Sequence, residues 1–112
     1  MSTADNNAMT TTDLQSTLLS AFITELQEFT NDLDSDIILL EDIPDNSELI
    51  NKIFRVYHSI KSSAGIVGYK SISDFTHTIE SVVEKIRQKQ LHIDGNIISA
   101  LLDSNDVLRF LI

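Results

Sequence analysis

The chain has 112 residues, 42% hydrophobic and 22% charged, which is enough for one buried core and too little for a second domain. Its single proline and three glycines favour a few long helices over many short strands. The net charge of −9 argues against nucleic-acid binding, because an acidic surface repels the phosphate backbone, and the absence of cysteine excludes disulfides and thiolate metal sites.

No targeting or membrane segment is recognisable in the sequence. The N-terminus has neither the basic region nor the apolar core of a signal peptide, and no apolar run approaches the ~18 residues of a membrane span. We therefore expect a soluble cytoplasmic protein. All lysines and arginines lie after position 51, so anion chemistry is expected in the second half of the chain.

Residues 1–11 are polar and without periodicity, which predicts a disordered leader before a domain over residues 12–112. A first helix is expected to begin after Thr12 or Asp13, either of which suits the N-cap position, and to end at the turn around Pro44. Its apolar side chains recur every three or four residues and predict a buried face made of Leu14, Leu18, Phe22, Leu26, Phe29, Leu33, Ile37 and Leu40.

Three further helices are predicted. The second covers residues 47–67, with Gly68 as its left-handed C-cap. Ser71 is the expected N-cap of the third helix, with Asp74 completing a capping box, and Asp94 is the expected N-cap of the fourth. Four helices joined by short connections predict an all-α protein, an antiparallel up-and-down four-helix bundle.

His58 is the candidate functional residue of the second helix. A helical wheel places it ~140° from the centre of the apolar face, on the solvent side. Its neighbours on the wheel are Phe54, Lys61, Ser62 and Gly65, so a cation lies one turn away and small side chains lie beyond it. On this helix alone, an incidental surface histidine beside small residues that permit close helix packing is the simpler interpretation.

Polar residues of the predicted third helix favour a functional role for His58. His77, Glu80 and Glu84 fall on the side opposite its apolar face. In an antiparallel helix pair Glu80 comes within hydrogen-bond reach of His58, and a carboxylate that accepts from Nδ1–H leaves the Nε2 lone pair free for attack. Lys61, and His77 when protonated, would offset the charge of a phosphoryl group.

The segment of residues 54–68, FRVYHSIKSSAGIVG, and the segment His77-Thr-Ile-Glu80 resemble the phosphorylation-site region of histidine phosphotransfer (HPt) domains. They are most similar to the N-terminal domain of chemotaxis histidine kinases of the CheA type, and the resemblance covers about residues 14–108. The pattern is specific because it combines His-x-x-Lys, a run of small residues, Gly68, and His-x-x-Glu at the family's separation.

Two departures from the chemotaxis type are visible. Ser62 and Ser63 stand where chemotaxis kinases more often have glycine, and the fifth helix usual in that type is missing. The chain also stops on an apolar segment, residues 110–112, without a cap. We therefore expect part of a longer protein or a shorter member of the family.

The resemblance implies a role for each matching residue. His58 would be the phospho-acceptor, and Glu80 would orient its imidazole. Lys61 and His77 would belong to the surrounding polar network. The surface offered to a partner domain would contain Phe54, Ser62 and Gly65.

The sequence has no Walker-type loop and no glycine-rich nucleotide lid, so we expect no cofactor in this domain and no ATP-dependent activity of its own. A histidine kinase ATP-binding domain would supply the phosphoryl group, and the receiver domain of a response regulator would take it onto an Asp with its own Mg²⁺. The expected function is that of a phosphoryl carrier in two-component signalling, within a chemotaxis histidine kinase. A freestanding or hybrid-kinase phosphorelay protein is the alternative, and no nucleic-acid or membrane partner is expected.

Other interpretations of the third helix stay open. Glu80 and Glu84 fit a solvated acidic face that pairs with Arg87 or Lys85 in its last turn. A metal-binding bundle would use His77, Glu80 and Glu84, with His58 completing the site. A docking module whose histidine is incidental is the third possibility.

Overall fold

The computed structural model describes residues 10–112, so most of the predicted leader lies outside the described residues. Four helices follow in chain order: α1 (Thr11–Asp42), α2 (Ser47–Val67), α3 (Lys70–Arg87) and α4 (Gly95–Leu111). They pack as a ring in which α1 contacts α2 and α4, and α3 contacts α2 and α4. Because short connections make successive helices antiparallel, this arrangement confirms the predicted four-helix bundle.

One hydrophobic core runs along the inside of this ring. The apolar faces of α2, α3 and α4 point into it together with that of α1. The core is formed by Phe22, Leu26, Leu33, Ile37, Leu40, Ile50, Ile53, Tyr57, Ile60, Ala64, Ile72, Ile79, Val83, Ile86, Ile98, Leu101 and Leu108. The side chains on the outward faces of α2 and α3 do not take part in this core.

The first part of α1 was predicted wrongly as core. Leu14 and Leu18 continue the apolar stripe but are 48% and 44% exposed, and Phe22 is the first buried residue of the helix. With 32 residues α1 is much longer than α2 with 21, so its first turns extend past the other helices. Helical periodicity identifies a face but not the length over which a neighbour covers it.

Two predicted helix starts also differ. Helix α1 begins at Thr11, because the Thr10 hydroxyl accepts from the Asp13 backbone N–H at 3.0 Å and the Asp13 carboxylate accepts from the Thr10 backbone N–H at 3.4 Å. The predicted capping box of Ser71 and Asp74 does not form. Helix α3 starts at Lys70, which puts Ser71 inside its first turn, and Asp74 pairs with Lys70 at 2.7 Å instead.

The connection between α2 and α3 follows from a single glycine. Gly68 has φ of 78°, the left-handed conformation that ends α2 as predicted, and the Tyr69 backbone N–H donates back to the Ala64 carbonyl at 2.8 Å. The chain reverses direction within Gly68 and Tyr69, and α3 then runs antiparallel along α2. The predicted N-cap of α4 is also confirmed, since the Asp94 side chain accepts from the Ile97 N–H at 2.9 Å.

A buried polar network joins three of the helices. The Tyr57 hydroxyl of α2 donates to Asn105 Oδ1 of α4 at 2.6 Å, and Asn105 Nδ2 donates to Asp34 of α1 at 2.8 Å. Arg109 also donates to Asp34. Burial, reinforced by the charge of Asp34, raises the pKa of Tyr57 far above its usual range, so it stays a neutral donor.

We expect alanine to have opposite effects on the free energy of unfolding at Gly65, inside α2, and at Gly68, the C-cap of α2. Gly68→Ala should lower the free energy of unfolding by roughly 1 kcal/mol, because a side chain is strained at positive φ. Gly65→Ala should raise it by about 0.5–1 kcal/mol, because Gly65 is helical and an added Cβ would meet only Ser73 Oγ at 4.0 Å. Urea denaturation measures both. Equal effects of the two substitutions would contradict this account of the turn.

Candidate functional site

Helix α2 presents His58 on the outer surface of the bundle. Tyr57, one residue before it, and Ile60, two residues after it, are fully buried, whereas 56% of the His58 side chain is exposed. The predicted orientation of the imidazole is therefore confirmed. Helix α3 packs along this edge of α2, and its side chains complete the surroundings of the ring.

The Glu80 carboxylate lies between His58 and Lys61. Glu80 Oε2 is 2.9 Å from His58 Nδ1, and Glu80 Oε1 accepts from Lys61 Nζ at 2.8 Å. Since an ionised carboxylate can only accept, the His58 Nδ1 must carry the hydrogen of this bond. Nε2 has no hydrogen-bond partner among residues 10–112, which leaves its lone pair available in the neutral ring.

Two opposing effects act on the Glu80 carboxylate, whose side chain is only 12% exposed. Burial by itself raises the pKa of Glu80. The hydrogen bonds and positive charges of Lys61 and His58 outweigh burial and hold the pKa of Glu80 below its usual range. The carboxylate is therefore ionised at neutral pH and is available to stabilise a positive charge on the imidazole.

An aromatic side chain lies beside His58 one turn earlier on α2. The rings of Phe54 and His58 are nearly parallel, with 18° between their planes and 6.4 Å between their centroids. The guanidinium of Arg87, from α3, lies 4.4 Å from the Phe54 centroid. The sequence assigned Phe54 to this surface and Arg87 to pairing with the acidic side chains of α3, but it did not indicate that the two side chains meet.

The residues that follow His58 on the exposed face of α2 have small side chains that project little from the helix. Ser62 and Gly65 are exposed, as expected from the helical wheel. Ser63 is half-buried and donates to Glu25 of α1 at 3.2 Å, so it belongs to the contact between α1 and α2. The part of α2 that follows His58 therefore offers an open surface, with Ser62 and Gly65 at its centre.

His77 is not brought into the site by the described contacts. It lies exposed on α3, one turn before Glu80, and its side chain has no hydrogen bond within the part of the chain that the structure describes. Of the four polar residues that the resemblance assigned to the site, the structure brings His58, Lys61 and Glu80 together. The role predicted for His77 stays a prediction.

The metal-binding alternative finds no support in this geometry. No group of three or more histidine or acidic side chains in the described part of the chain is arranged to hold a metal ion. Both oxygens of Glu80 already bind His58 and Lys61. Glu84 accepts from Arg87 at 2.6 Å and from Gln88 at 2.8 Å, as the interpretation of an acidic face paired with the last turn expected.

In the described residues no helix combines the length and the apolar composition needed to cross a membrane. A helical bundle that holds an exposed imidazole by Nδ1 and leaves its Nε2 open has the features of a histidine phosphotransfer domain. The family model of the Hpt domain matches residues 17–109. The chain belongs to the Hpt domain family.

Relatives among chemotaxis proteins agree with this membership. The chain is 38% identical over 92 residues to the chemotaxis protein CheA of Borreliella burgdorferi, which covers 82% of this chain and 11% of that protein. It is 33% identical over 100 residues to the sensor histidine kinase CheAY of Helicobacter pylori, covering 89% of this chain and 12% of that protein. The chain thus spans about a tenth of the length of these curated relatives.

Solved structures show the same fold. The CheA phosphotransferase domain from Thermotoga maritima matches with a TM-score of 0.80 and 28% identity, over 87% of this chain and 91% of that chain. A computationally redesigned four-helix bundle matches with a TM-score of 0.79 and 26% identity, over 86% of this chain and 93% of that chain. The chain is therefore an HPt domain similar to those of CheA-type kinases.

The lowered pKa of Glu80 predicts how acid affects stability. A carboxylate whose pKa is lower in the folded protein stabilises the fold above its unfolded pKa, about 4.3 for glutamate, and this stabilisation is lost as the pH falls through the folded value. The free energy of unfolding of Glu80→Gln should therefore be lower than that of the wild type at pH 7 and approach it towards acid. Urea denaturation at a series of pH values measures the difference. Glu28→Gln, at an exposed position of α1, is the control, and a difference for Glu80→Gln that does not change with pH would contradict the prediction.

Proposed function

We propose that this domain carries a phosphoryl group on Nε2 of His58, in two-component signalling of the chemotaxis type. It receives the group from the ATP-binding domain of a histidine kinase and passes it to an aspartate of a response regulator. The observation that carries the proposal is the exposed imidazole whose Nδ1 lies 2.9 Å from Glu80 Oε2. Membership of the Hpt family and the similarity to CheA proteins support it.

The site favours attack by Nε2 for a simple electronic reason. When the Nε2 lone pair forms a bond to the γ-phosphorus of ATP, the bond from that phosphorus to the bridging oxygen breaks and ADP leaves. The proton stays on Nδ1, so the ring becomes an imidazolium whose positive charge is stabilised by the ionised Glu80 beside it. Lys61, bonded to the other oxygen of Glu80, keeps that carboxylate in place.

In this proposal ATP and Mg²⁺ act through partner domains, and the HPt domain is the substrate of one partner and the donor to the other. In the transfer to the regulator, the Nε2–phosphorus bond breaks as an aspartate oxygen bonds to phosphorus. The neutral ring with its proton on Nδ1 is then regenerated. A carrier that first accepts and then donates the phosphoryl group needs an accessible Nε2 and a carboxylate that stays in place throughout.

The surface around His58 suits short-lived contacts with two different partners. Phe54 lies on one side of the imidazole along α2, and Ser62 and Gly65 lie on the other. An apolar ring next to small side chains lets the active site of a partner approach the imidazole closely. Exchange between partners also requires weak binding, which small interfaces provide. We place the protein in the cytoplasm, where ATP and response regulators are available.

Substitution of the acceptor tests the proposal most simply. With the kinase domain of a CheA protein and γ-labelled ATP, label should appear on the wild type and on His92→Gln and be absent from His58→Gln. His92 is an exposed histidine of the α3–α4 connection and serves as the matched control. Equal labelling of His58→Gln would overturn the assignment.

Glu80→Ala should fold and should accept the phosphoryl group more slowly. A hydrogen bond between charged groups contributes about 1.5–3 kcal/mol, which corresponds to roughly ten- to hundredfold in rate if it forms fully only as the ring becomes charged. The initial rate of labelling measures this, with Glu28→Ala as the control and circular dichroism to verify the fold. A rate equal to that of the wild type would remove Glu80 from the mechanism.

A bulky side chain at Gly65 should impair transfer without unfolding the domain. Gly65→Phe should slow phosphoryl transfer to a response regulator, because the ring would stand two turns from His58 on the exposed face. Gly65→Ala is the matched control, since its Cβ makes only ordinary contacts. Equal rates for the two variants would show that partners do not approach over this surface.

A further inference from the structure

Arg87 is connected to the phosphorylation site although it touches neither His58 nor Glu80. Its guanidinium lies over the ring of Phe54 at 4.4 Å, and Phe54 in turn stacks on His58. A guanidinium on an aromatic face is attracted by the electrons of the ring. The three side chains therefore form a continuous stack across the groove between α2 and α3, with the acceptor at one end.

The guanidinium has its own fixed partners on both helices. Arg87 Nε donates to Asn51 Oδ1 of α2 at 2.8 Å, and Arg87 Nη1 donates to Glu84 Oε2 of α3 at 2.6 Å. Gln88 Nε2 donates to the second oxygen of Glu84 at 2.8 Å. A long side chain at the surface loses considerable freedom when it is ordered, so this set of bonds specifies one position for the guanidinium.

The hydrogen bond to Glu80 leaves the orientation of the His58 ring incompletely defined. A single bond at Nδ1 fixes one atom of the imidazole, and the ring plane can still tilt about that contact. A parallel aromatic ring beside the imidazole restricts this tilt. Phe54 is itself only half-buried, so it can do this only if something holds its ring, and Arg87 packs on that ring.

The same stack places a second cation beside the acceptor, and each of the two cations is paired with a carboxylate, Lys61 with Glu80 and Arg87 with Glu84. Lys61 lies one turn after His58 on α2, and Arg87 lies over Phe54, one turn before it. In a chain with a net charge of −9, two cations thus flank the residue that would take up a dianionic group.

We propose that Arg87 is a positioning residue for phosphoryl transfer, which holds Phe54 against His58 and so fixes the plane in which Nε2 faces the incoming phosphorus. This inference rests on the proposed function of His58. It differs from a role in partner binding, which would change KM, and from a purely structural link between α2 and α3, which would change stability alone.

The first experiment examines the His58 ring without any phosphorylation. In protein labelled at histidine and phenylalanine, NMR of the wild type should show nuclear Overhauser contacts between the rings of Phe54 and His58. These contacts should weaken in Arg87→Ala and return in part in Arg87→Lys, which keeps a cation for the aromatic face but cannot make both the Asn51 and the Glu84 bond of the guanidinium. Lys85→Ala, an equal loss of charge at an exposed position of α3, should leave them intact. Unchanged ring contacts in Arg87→Ala would overturn the proposal.

The second experiment measures kcat and KM for phosphorylation by a CheA kinase domain. Arg87→Ala should lower kcat about two- to fivefold, the size expected for a partly exposed cation–π contact, with KM unchanged. Arg87→Lys should recover part of the loss. A change in KM alone would contradict positioning and indicate partner binding.

A double-substitution cycle guards against a general effect on the fold. Phe54→Leu removes the aromatic face and keeps apolar volume, and it should lower kcat by a similar factor. Adding Arg87→Ala to Phe54→Leu should then cause no further loss, because both changes break one stack. Independent, multiplying losses would overturn the proposal. Failure of the wild type to accept label would instead overturn the proposed function, while the ring contacts would still report on the stack.

Discussion

The Glu80 carboxylate is the group on which the rest of the site depends. It is almost buried between α2 and α3, where an ionised carboxylate is stable only if its oxygens are bonded to donors. Lys61 bonds to one oxygen and His58 Nδ1 to the other, so the position of the imidazole proton follows from the burial of the acid. The exposed nitrogen keeps a free lone pair because the opposite nitrogen carries the proton that bonds to the buried carboxylate.

The register of the α2–α3 pair extends this arrangement along the groove. Moving seven residues back from His58 on α2 and seven forward from Glu80 on α3 leads to Asn51 and Arg87, which bond at 2.8 Å. Antiparallel helices keep such an offset constant, and the tight turn at Gly68 sets it. One glycine therefore determines which side chains surround His58.

Much of this structure could be predicted from the sequence, and each failure has a physical cause. The four helices, the exposure of His58 and its contact with Glu80 depend on periodicity within a helix and on an antiparallel pair. The exposure of Leu14 and Leu18 depends on how long each helix is relative to its neighbours. Asn105 is buried because it lies on the inner face of α4, four residues after Leu101 and three before Leu108, although its polar side chain argued for the surface. The contact between Arg87 and Phe54 depends on the register between α2 and α3. That register could have been derived from the predicted His58–Glu80 pair, by counting seven residues back on α2 and seven forward on α3.

The central claim is that Glu80 keeps the proton of the neutral His58 ring on Nδ1. The ¹⁵N chemical shifts of the two ring nitrogens, measured at alkaline pH in the wild type and in Glu80→Ala, test it directly, because each shift reports whether its nitrogen carries the proton. The account predicts a protonated Nδ1 and a bare Nε2 in the wild type and a mixture of both forms in the variant. A wild-type ring protonated mainly on Nε2 would contradict it.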